Sequence, residues 1–167
     1  MAQKKKEYKI HPDVRIGYIH LSVSDLQKSL YFYNEILGFE ITHEWQGAVF
    51  LSAGDYHHHI GLNTWNSPNA RKPHEGQIGL YHFAILFPNR MELAKTLKRL
   101  IDAKYAIGGF SDHGVSEAIY LIDPDGNGIE LYVDKPKSKW PKDSKGKLVM
   151  LSKILDVQGL LEEADKK

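Results

Sequence analysis

Apolar and polar side chains alternate from residue 16 to residue 23, a pattern that is typical of a half-buried β-strand. One face of this strand would carry Ile19, Leu21 and Val23, and the other face would carry Tyr18, His20 and Ser22. The pattern therefore places a histidine on the polar side of a strand whose other side faces a core.

A helix is predicted directly after this strand. Apolar residues recur at helical spacing at Leu26, Leu30, Tyr33 and Leu37. Ser24, with Gln27 three residues later, matches the capping-box pattern, so we expect Ser24 to cap the helix. Gly38 stands where a helix commonly ends.

The order of one strand, one helix and three further strands occurs twice along the chain. Three extended segments follow the first helix, at 39–45, 48–53 and 57–65, separated by Gly47 and Gly54. After a turn-prone stretch at 66–79, a strand at 80–87 is followed by a break at Pro88 and by a helix with Leu93, Leu97 and Leu100 on one stripe. Strands at 106–109, 118–122 and 129–133 complete the second copy.

This repeat predicts an α+β fold of two paired βαβββ modules, at about 14–66 and 78–135, that form one domain around an open barrel cleft. Residues 1–13 are predicted to be a flexible N-terminal tail. Residues 136–167 are predicted to be a C-terminal tail, in which 155–164 could form a short amphipathic helix that docks on the domain or on a neighbour.

Composition narrows the classes of function. The chain has 167 residues, of which 42% are hydrophobic, which suits one compact domain. A net charge of +1 gives no electrostatic argument for nucleic acid or an anionic membrane, so a small molecule is the expected partner. The absence of cysteine excludes disulfides, thiolate metal sites and cysteine nucleophiles. No secretory signal or membrane-spanning run is evident, so we expect a cytoplasmic protein.

Three side chains are of metal-ligand type and lie on the polar side of otherwise apolar strands: His20, His82 and Glu130. A carboxylate in so apolar a strand is costly to bury without a partner or a cation. Two imidazoles and one carboxylate match the facial arrangement of non-haem Fe(II) oxygenases, which leaves positions open for substrate and dioxygen. The alternative is that both histidines are hydrogen-bonded core residues and that Glu130 meets water at a sheet edge.

A second group of polar side chains could lie around such a metal. His57, His58 and His59 fall on the last predicted strand of the first module, where alternation would send His58 to one face and its neighbours to the other. His113 is predicted in a loop, where an imidazole is a ready proton carrier. Tyr120 could offer a hydroxyl to bound oxygen. A solvated strand end and ordinary core packing are the respective alternatives.

Other residues are expected to have lesser parts. Tyr56, Trp65 and Phe110 are candidates to line a pocket, with surface exposure or core packing as the alternative for each. His11, His43 and His74 are expected at the surface. The segment Asp123-Pro-Asp-Gly-Asn-Gly partly matches a calcium loop, which would need a distant bidentate Glu and flanking helices. Because a predicted strand follows at once, we interpret this segment as a hairpin turn.

Three segments resemble the vicinal oxygen chelate superfamily of glyoxalases, bleomycin-resistance proteins and extradiol dioxygenases. They are Tyr18-Ile-His-Leu-Ser-Val, Tyr31-Phe-Tyr-Asn-Glu-Ile-Leu-Gly-Phe and Asp123-Pro-Asp-Gly-Asn-Gly-Ile-Glu-Leu-Tyr. The likeness runs over about 14–135 and implies paired βαβββ modules. Within the superfamily, the chain most resembles the type I extradiol, catechol-2,3-dioxygenase-like proteins, although the fold alone does not fix the activity.

That resemblance implies a role for each candidate residue. His20, His82 and Glu130 would be the iron ligands, His58 the histidine near bound oxygen, His113 the acid/base histidine and Tyr120 the tyrosine beside the substrate. Glyoxalase I differs by a fourth protein ligand on the last strand of the first module. The corresponding position here is Gly61, or His59 if the register shifts by two residues.

The implied reaction is ring cleavage of a catecholic substrate by dioxygen on a bound metal, with Fe(II) as the first choice and Mn(II), Ni(II) or Zn(II) as alternatives. The other functions left open are a glyoxalase-like metal-dependent lyase or isomerase and a non-catalytic binding protein of the bleomycin-resistance type. Many extradiol enzymes have four modules, so a two-module chain is expected to work in compact form or as a homo-oligomer.

Overall fold

The structure, a computed structural model, describes residues 8–72, 74 and 76–166. The first seven residues, which make up half of the predicted N-terminal tail, and the last residue lie outside this range. Residues 8–13 are exposed to solvent. Among the described helices, none combines the length and the apolar character that a membrane crossing requires.

Two modules of the same element order follow one another. The first contains β1 (Ile19–Ser22), α1 (Leu26–Leu30), a π-helix (Tyr31–Ile36), β2 (Glu40–Trp45), β3 (Ala48–Ser52) and β4 (Ile60–Asn63). The second contains β5 (Phe83–Phe87), α2 (Arg90–Asp102), β6 (Ile107–Asp112), β7 (Ser116–Ile122) and β8 (Gly128–Asp134). A 3₁₀ turn (Lys137–Lys139) and α3 (Val157–Glu163) come last.

Each module builds one four-stranded sheet. The strand orders are β1-β4-β3-β2 and β5-β8-β7-β6, so the first and last strands of each module lie side by side and run parallel. The remaining pairs are antiparallel. This topology confirms the prediction of an α+β fold with two βαβββ modules. Within the described residues the two sheets are separate, and β1 and β5 are outer strands of their sheets.

The first helix begins one residue later than predicted. Asp25, not Ser24, is the N-cap: its Oδ1 accepts hydrogen bonds from the backbone amides of Gln27 (2.8 Å) and Lys28 (3.2 Å). A carboxylate accepts these two amide protons and also suits the positive end of a helix. The Ser24 amide instead donates to Asp125 of the second module at 3.2 Å.

The predicted helix through Leu37 widens into a π-helix after little more than one α-helical turn. The Leu37 amide donates to the carbonyl of Phe32, five residues earlier, at 3.0 Å. Phe32 and Tyr33 are both fully buried, with ring centroids 4.8 Å apart. The wider turn therefore lets two consecutive aromatic side chains enter the core.

Helix and turn contacts, rather than strand pairing, join the two modules. The Tyr33 hydroxyl donates to Oδ2 of buried Asp123 at 2.8 Å, and the Arg99 guanidinium donates to the carbonyl of Ile36 at 2.7 Å. The rings of Phe32 and Tyr105 lie 4.7 Å apart between centroids. One core cluster consequently includes buried residues from both modules.

The C-terminal segment packs against the second module. Leu155 and Leu160 are buried in the shared core. Arg90 at the start of α2 donates to the Gly159 carbonyl at 2.8 Å and pairs with Glu117 at 2.7 Å and Glu163 at 3.3 Å. The helix predicted at 155–164 is therefore present as α3, and it docks on the domain.

Candidate active site

A line of polar side chains crosses the second sheet around Glu130. Glu130 points away from the core side of β8, on which Ile129 and Leu131 are buried. Its Oε2 lies 3.1 Å from His82 Nε2, and its side chain is only 15% exposed. The strand predicted at 80–87 begins only at Phe83 in the structure, so His82 lies one residue before β5. A carboxylate and an imidazole at this distance are two donors of the type that binds divalent metals.

Tyr120 and His113 extend this line. Tyr120 stands opposite Glu130 in the β7–β8 register, and its hydroxyl donates to Glu130 Oε1 at 3.1 Å. The same hydroxyl lies 2.7 Å from His113 Nε2. His113 lies between β6 and β7, as predicted, and its Nδ1 lies 2.9 Å from the Leu151 carbonyl.

Burial, together with the charge of Glu130 and the hydrogen bond to it, raises the pKa of Tyr120 to about 12. The hydroxyl consequently keeps its proton at neutral pH. It is a hydrogen-bond donor between a carboxylate and an imidazole.

His20 lies in the first sheet, among different neighbours. Its Nε2 is 3.1 Å from Nδ2 of Asn63, and its ring packs against Phe50 and Trp65, each 5.7 Å away between centroids. Gly61 is its direct partner in the β1–β4 register, and a Cβ at Gly61 would lie 2.9 Å from the His20 ring. The register therefore puts a glycine beside His20.

The three neighbouring histidines of the first module do not alternate as predicted, because β4 begins only at Ile60. His57 and His58 lie on the same side, with their Nδ1 atoms 2.7 Å apart. His59 Nδ1 is 2.9 Å from the Ser52 hydroxyl. Partial burial, followed by repulsion from His57 and then His20, lowers the pKa of His58.

The six predicted site residues thus fall into two groups, one in each module. His82, Glu130, Tyr120 and His113 are joined by contacts in the second, whereas His20 and His58 neighbour each other in the first. In the portion of the chain that the structure describes, no three His, Asp or Glu side chains lie together so that they could hold one metal ion. The donors of the second group fit two positions of a metal site, and the arrangement of the chain does not bring His20 to them.

The physical reason lies in the packing of the modules. Helices and the Asp123 turn set the relative position of the sheets, and no ladder hydrogen bonds hold β1 beside β5 among the described strands. The alternation of apolar and polar residues places a side chain on one face of a strand, but it carries no information on how two sheets face each other.

A cleft of about 810 Å³ lies between the chain leading into β1 and strand β5. Its walls include Tyr18, Phe39, His59, His82, Phe83 and Tyr132. The predicted lining residues Tyr56, Trp65 and Phe110 are not among them, so that prediction is wrong for this cleft. Tyr132 reaches the cleft from between buried Leu131 and Val133 on β8, and strand periodicity alone does not separate a cleft-facing position from a solvent-facing one.

The turn before β8 is a hairpin turn, as predicted. Asp123 Oδ1 accepts from the amides of Asp125 (2.9 Å) and Asn127 (2.8 Å), and its Oδ2 accepts from Tyr33 and from the Asn127 side chain. Protein donors therefore occupy both carboxylate oxygens. His11, His43 and His74 are exposed, which also agrees with the prediction.

The sequence is similar to two proteins that are named as dioxygenases. It is 46% identical over 156 residues to catechol-2,3-dioxygenase of Bacillus subtilis (strain 168), covering 93% of this chain and 54% of that protein. It is 29% identical to biphenyl-2,3-diol 1,2-dioxygenase 3 of Rhodococcus globerulus, covering 72% of this chain and 63% of that protein. The chain thus spans 54% and 63% of the lengths of these two relatives, less than two thirds of either.

The fold also matches solved structures. A glyoxalase/dioxygenase from Nostoc punctiforme superposes with a TM-score of 0.60 at 22% identity, covering 78% of this chain and 99% of the other. The family model of the Glyoxalase/Bleomycin resistance protein/Dioxygenase superfamily matches residues 15–131, which include both sheets up to the middle of β8. Both modules and the residues around Glu130 lie within that match, and the chain therefore belongs to the Glyoxalase/Bleomycin resistance protein/Dioxygenase superfamily.

Proposed function

We propose that the protein is a metal-dependent extradiol dioxygenase that cleaves the ring of a catecholic substrate. The observation that carries this proposal is the continuous line from His82 through Glu130 and Tyr120 to His113, with contacts of 3.1, 3.1 and 2.7 Å. This line joins His82 and Glu130, which are of the metal-binding type, to the Tyr120 hydroxyl as a proton donor and to His113 as a proton carrier. The 46% identity to a protein named catechol-2,3-dioxygenase supports the same reaction.

In the proposed site, His82 and Glu130 are two of the metal ligands and His20 is the third. Fe(II) is the expected ion, because two imidazoles and a carboxylate suit it, and Mn(II) is the alternative. The metal would bring the substrate oxygens and dioxygen together and pass electrons between them. The protein's own part is to hold the donors, keep the Tyr120 hydroxyl aimed at the site, and carry a proton on His113.

The cleft supports an aromatic substrate. Tyr18, Phe39 and Phe83 line it, and His82 connects it to the polar line. A catechol ring would be held between aromatic faces, which favour offset or edge contacts with another ring. In this proposal, His58 has the role of the histidine near bound oxygen. Its lowered pKa keeps the ring neutral, so that it can accept or donate a hydrogen bond.

The glyoxalase-like alternative receives less support. That reading requires a fourth protein ligand beside His20, and Gly61 occupies the paired position in the register. A side chain there would collide with the His20 ring at 2.9 Å. His59, two residues earlier, is already engaged with Ser52.

We further propose that the third ligand, His20, comes from a second copy of the chain. His20 is exposed, while β1 and β5 are the outer strands of their sheets. A two-fold pair of chains would bring β1 of one copy beside β5 of the other in two equivalent contacts. The site would then be complete twice in the dimer, and the homo-oligomer, one of the two forms left open by the sequence, would be the active form.

The reaction is tested by loading the protein with Fe(II) without oxygen and then mixing it with catechols in air. We expect oxygen uptake together with a yellow ring-fission product, and His82→Ala should abolish both metal binding and colour. His43→Ala, a change of an exposed histidine outside the site, is the matched control. Turnover with Ni(II) or Zn(II) without oxygen uptake would support a lyase instead.

The source of His20 is tested by mixing subunits. His20→Ala and His82→Ala should each be inactive alone. If the ligands come from two copies, a one-to-one mixture should recover about one quarter of the sites, because half of the dimers are mixed and each holds one intact site. If wild-type protein is active and the mixture is not, all three ligands belong to one chain.

A further inference from the structure

The C-terminal segment contacts the candidate site through one backbone atom. The Leu151 carbonyl lies 2.9 Å from His113 Nδ1, and this residue lies beyond the superfamily match, which ends at residue 131. We propose that this carbonyl is a positioning group, which fixes the tautomer of His113 so that Nε2 is the nitrogen that exchanges a proton at the site. The proposal rests on the proposed function.

The argument begins with what each atom is able to do. A carbonyl oxygen only accepts hydrogen bonds, so His113 Nδ1 must carry the hydrogen in that contact. In the neutral ring the other nitrogen, Nε2, is then bare, and it lies 2.7 Å from the Tyr120 hydroxyl. Without the carbonyl, Nε2 could equally carry the hydrogen and donate it to Tyr120.

The fixed tautomer has a consequence for the next link. Tyr120 has one proton, and it faces two acceptors, the bare Nε2 and Glu130 Oε1 at 3.1 Å. All contacts are satisfied together when Nε2 also carries a proton, since Nε2 then donates to Tyr120 and Tyr120 donates to Glu130. The C-terminal segment therefore makes Nε2 the nitrogen that gains and loses a proton, and Nε2 lies on the side of the His113 ring that faces the site.

The segment is held firmly enough to act in this way. The Leu151 amide donates to the His113 carbonyl at 2.9 Å, and Asp112 and Lys153 exchange two backbone hydrogen bonds, each 2.9 Å long. Leu155, further along, is buried in the core. The contact between Leu151 and His113 is thus part of a short antiparallel pairing, anchored at its far end.

Gly114 provides a way to displace the segment without changing the side chain of His113 or Tyr120. A Cβ at Gly114 would lie 2.8 Å from Pro141 Cγ and 3.0 Å from Leu151 Cδ1. Gly114 has a φ of +77°, so Gly114→Ala also strains the backbone. Gly146→Ala is the matched control, because Gly146 has a φ of +76° and nothing within 4 Å of the added carbon.

The test is NMR of the metal-free protein labelled with ¹⁵N-histidine, at a mildly alkaline pH. Long-range proton–nitrogen correlations should show His113 with its hydrogen on Nδ1 in the wild type and in Gly146→Ala. Gly114→Ala should convert His113 to a mixture of tautomers. An Nε2–H ring in the wild type, or an unchanged Nδ1–H ring in a folded Gly114→Ala protein, would overturn the proposal.

If Gly114→Ala does not fold, Lys153→Pro is the second variant, since proline removes the amide that donates to Asp112 and loosens the same pairing. It carries the same expected change of tautomer, and an unchanged ring counts equally against the proposal. In turnover, the displaced segment should lower kcat about tenfold with little change in KM, because a proton transfer and not substrate binding is impaired.

The two readouts separate this inference from the proposed function. The tautomer is observed without metal, substrate or turnover. Suppose that the wild type has an Nδ1–H ring, that Gly114→Ala has a mixture of tautomers, and that the protein consumes no oxygen with any catechol. This result would refute the dioxygenase activity, but the effect of the C-terminal segment on His113 would remain supported. Oxygen uptake that is identical in wild type and a tautomer-shifted variant would refute the positioning role alone.

Discussion

Glu130 stands directly across from Tyr120 in the antiparallel pairing of β7 and β8, and its Oε1 accepts a hydrogen bond from the tyrosine hydroxyl at 3.1 Å. Since the other oxygen of Glu130 faces His82, one carboxylate connects the metal-type donors to the proton-carrying side chains. Changes at Tyr120 should therefore affect proton transfer and leave metal binding largely in place.

Tyr120→Phe removes the hydroxyl that bridges His113 and Glu130. We expect metal binding close to that of the wild type and a kcat that is lower by at least about tenfold, since acid–base assistance commonly contributes about 100-fold or more. Titration calorimetry with Mn(II) and steady-state oxygen uptake measure the two effects. Tyr31→Phe, at a largely exposed tyrosine, is the control. Loss of metal binding in Tyr120→Phe would contradict this division of roles.

Gly61→Ala should disturb His20. The added carbon would lie 2.9 Å from the His20 ring, so the ring must move away from Asn63 or the strands must separate. We expect a loss of about 1 kcal/mol in the free energy of unfolding, at the low end for overpacked sites because the His20 ring is exposed and can shift. Urea denaturation and the NMR signals of the His20 ring report the change.

Gly109→Ala, also in a strand, serves as the control for this experiment, because nothing lies within 4 Å of its added carbon. Its effect on unfolding should stay well below that of Gly61→Ala. Equal effects would show that loss of glycine in a strand, rather than contact with His20, determines the result.

Tyr33→Phe should weaken the connection between the modules. The Tyr33 hydroxyl and Asp123 are both buried, and removing the donor leaves a carboxylate oxygen with one partner fewer. The expected cost is about 1–3 kcal/mol of unfolding free energy, measured by urea denaturation at neutral pH. Tyr31→Phe should change it by less than about 0.5 kcal/mol. A similar value for both variants would contradict an energetic role for this hydrogen bond.

Asp112 should make stability depend on pH. Partial burial by itself would raise the pKa of Asp112, but hydrogen bonds from Lys135 and the Gly114 amide lower it below its ordinary 3.8. The folded state then binds its proton less readily than the unfolded state, so the stabilisation is present above pH 3.8 and is lost as the pH falls below it.

Asp112→Asn should accordingly destabilise the protein at neutral pH, by about 0.5–1.5 kcal/mol for a partly exposed pair. The difference from the wild type should shrink as the pH falls below 4. Urea denaturation over this pH range measures it, with Asp165→Asn at an exposed ion pair as the control. A difference that does not depend on pH would mean that the carboxylate charge is not responsible.

The sequence alone predicted the modules well and the geometry of the site only in part. The strand that carries His20, the helix that contains Leu93 and the turn at Asp123 all follow from local periodicity and turn chemistry. The π-helix at Tyr31–Ile36 did not, because its five-residue hydrogen bonds serve the burial of two adjacent rings and leave no repeat in the sequence.

Two features of the site had no usable signal in the sequence. The separation of His20 from His82 depends on how the modules pack, which strand patterns do not encode. The contact of His113 with Leu151 uses a backbone carbonyl, which every residue possesses. By contrast, the capping role of Asp25 could have been found, since Asp is as good a cap as Ser and suits the helix dipole.

The parallel pairing of β1 with β4, and of β5 with β8, has a consequence for the order of folding. Sequence neighbours such as β2 and β3 need only a short turn to pair. In contrast, β1 pairs with β4, the last strand of its module, so all the elements between them must first be in place. Closing a longer loop costs more entropy, so short-range hairpins form sooner. We therefore expect His20 and His82 to reach their native positions only as each sheet closes, in the final stage of assembly.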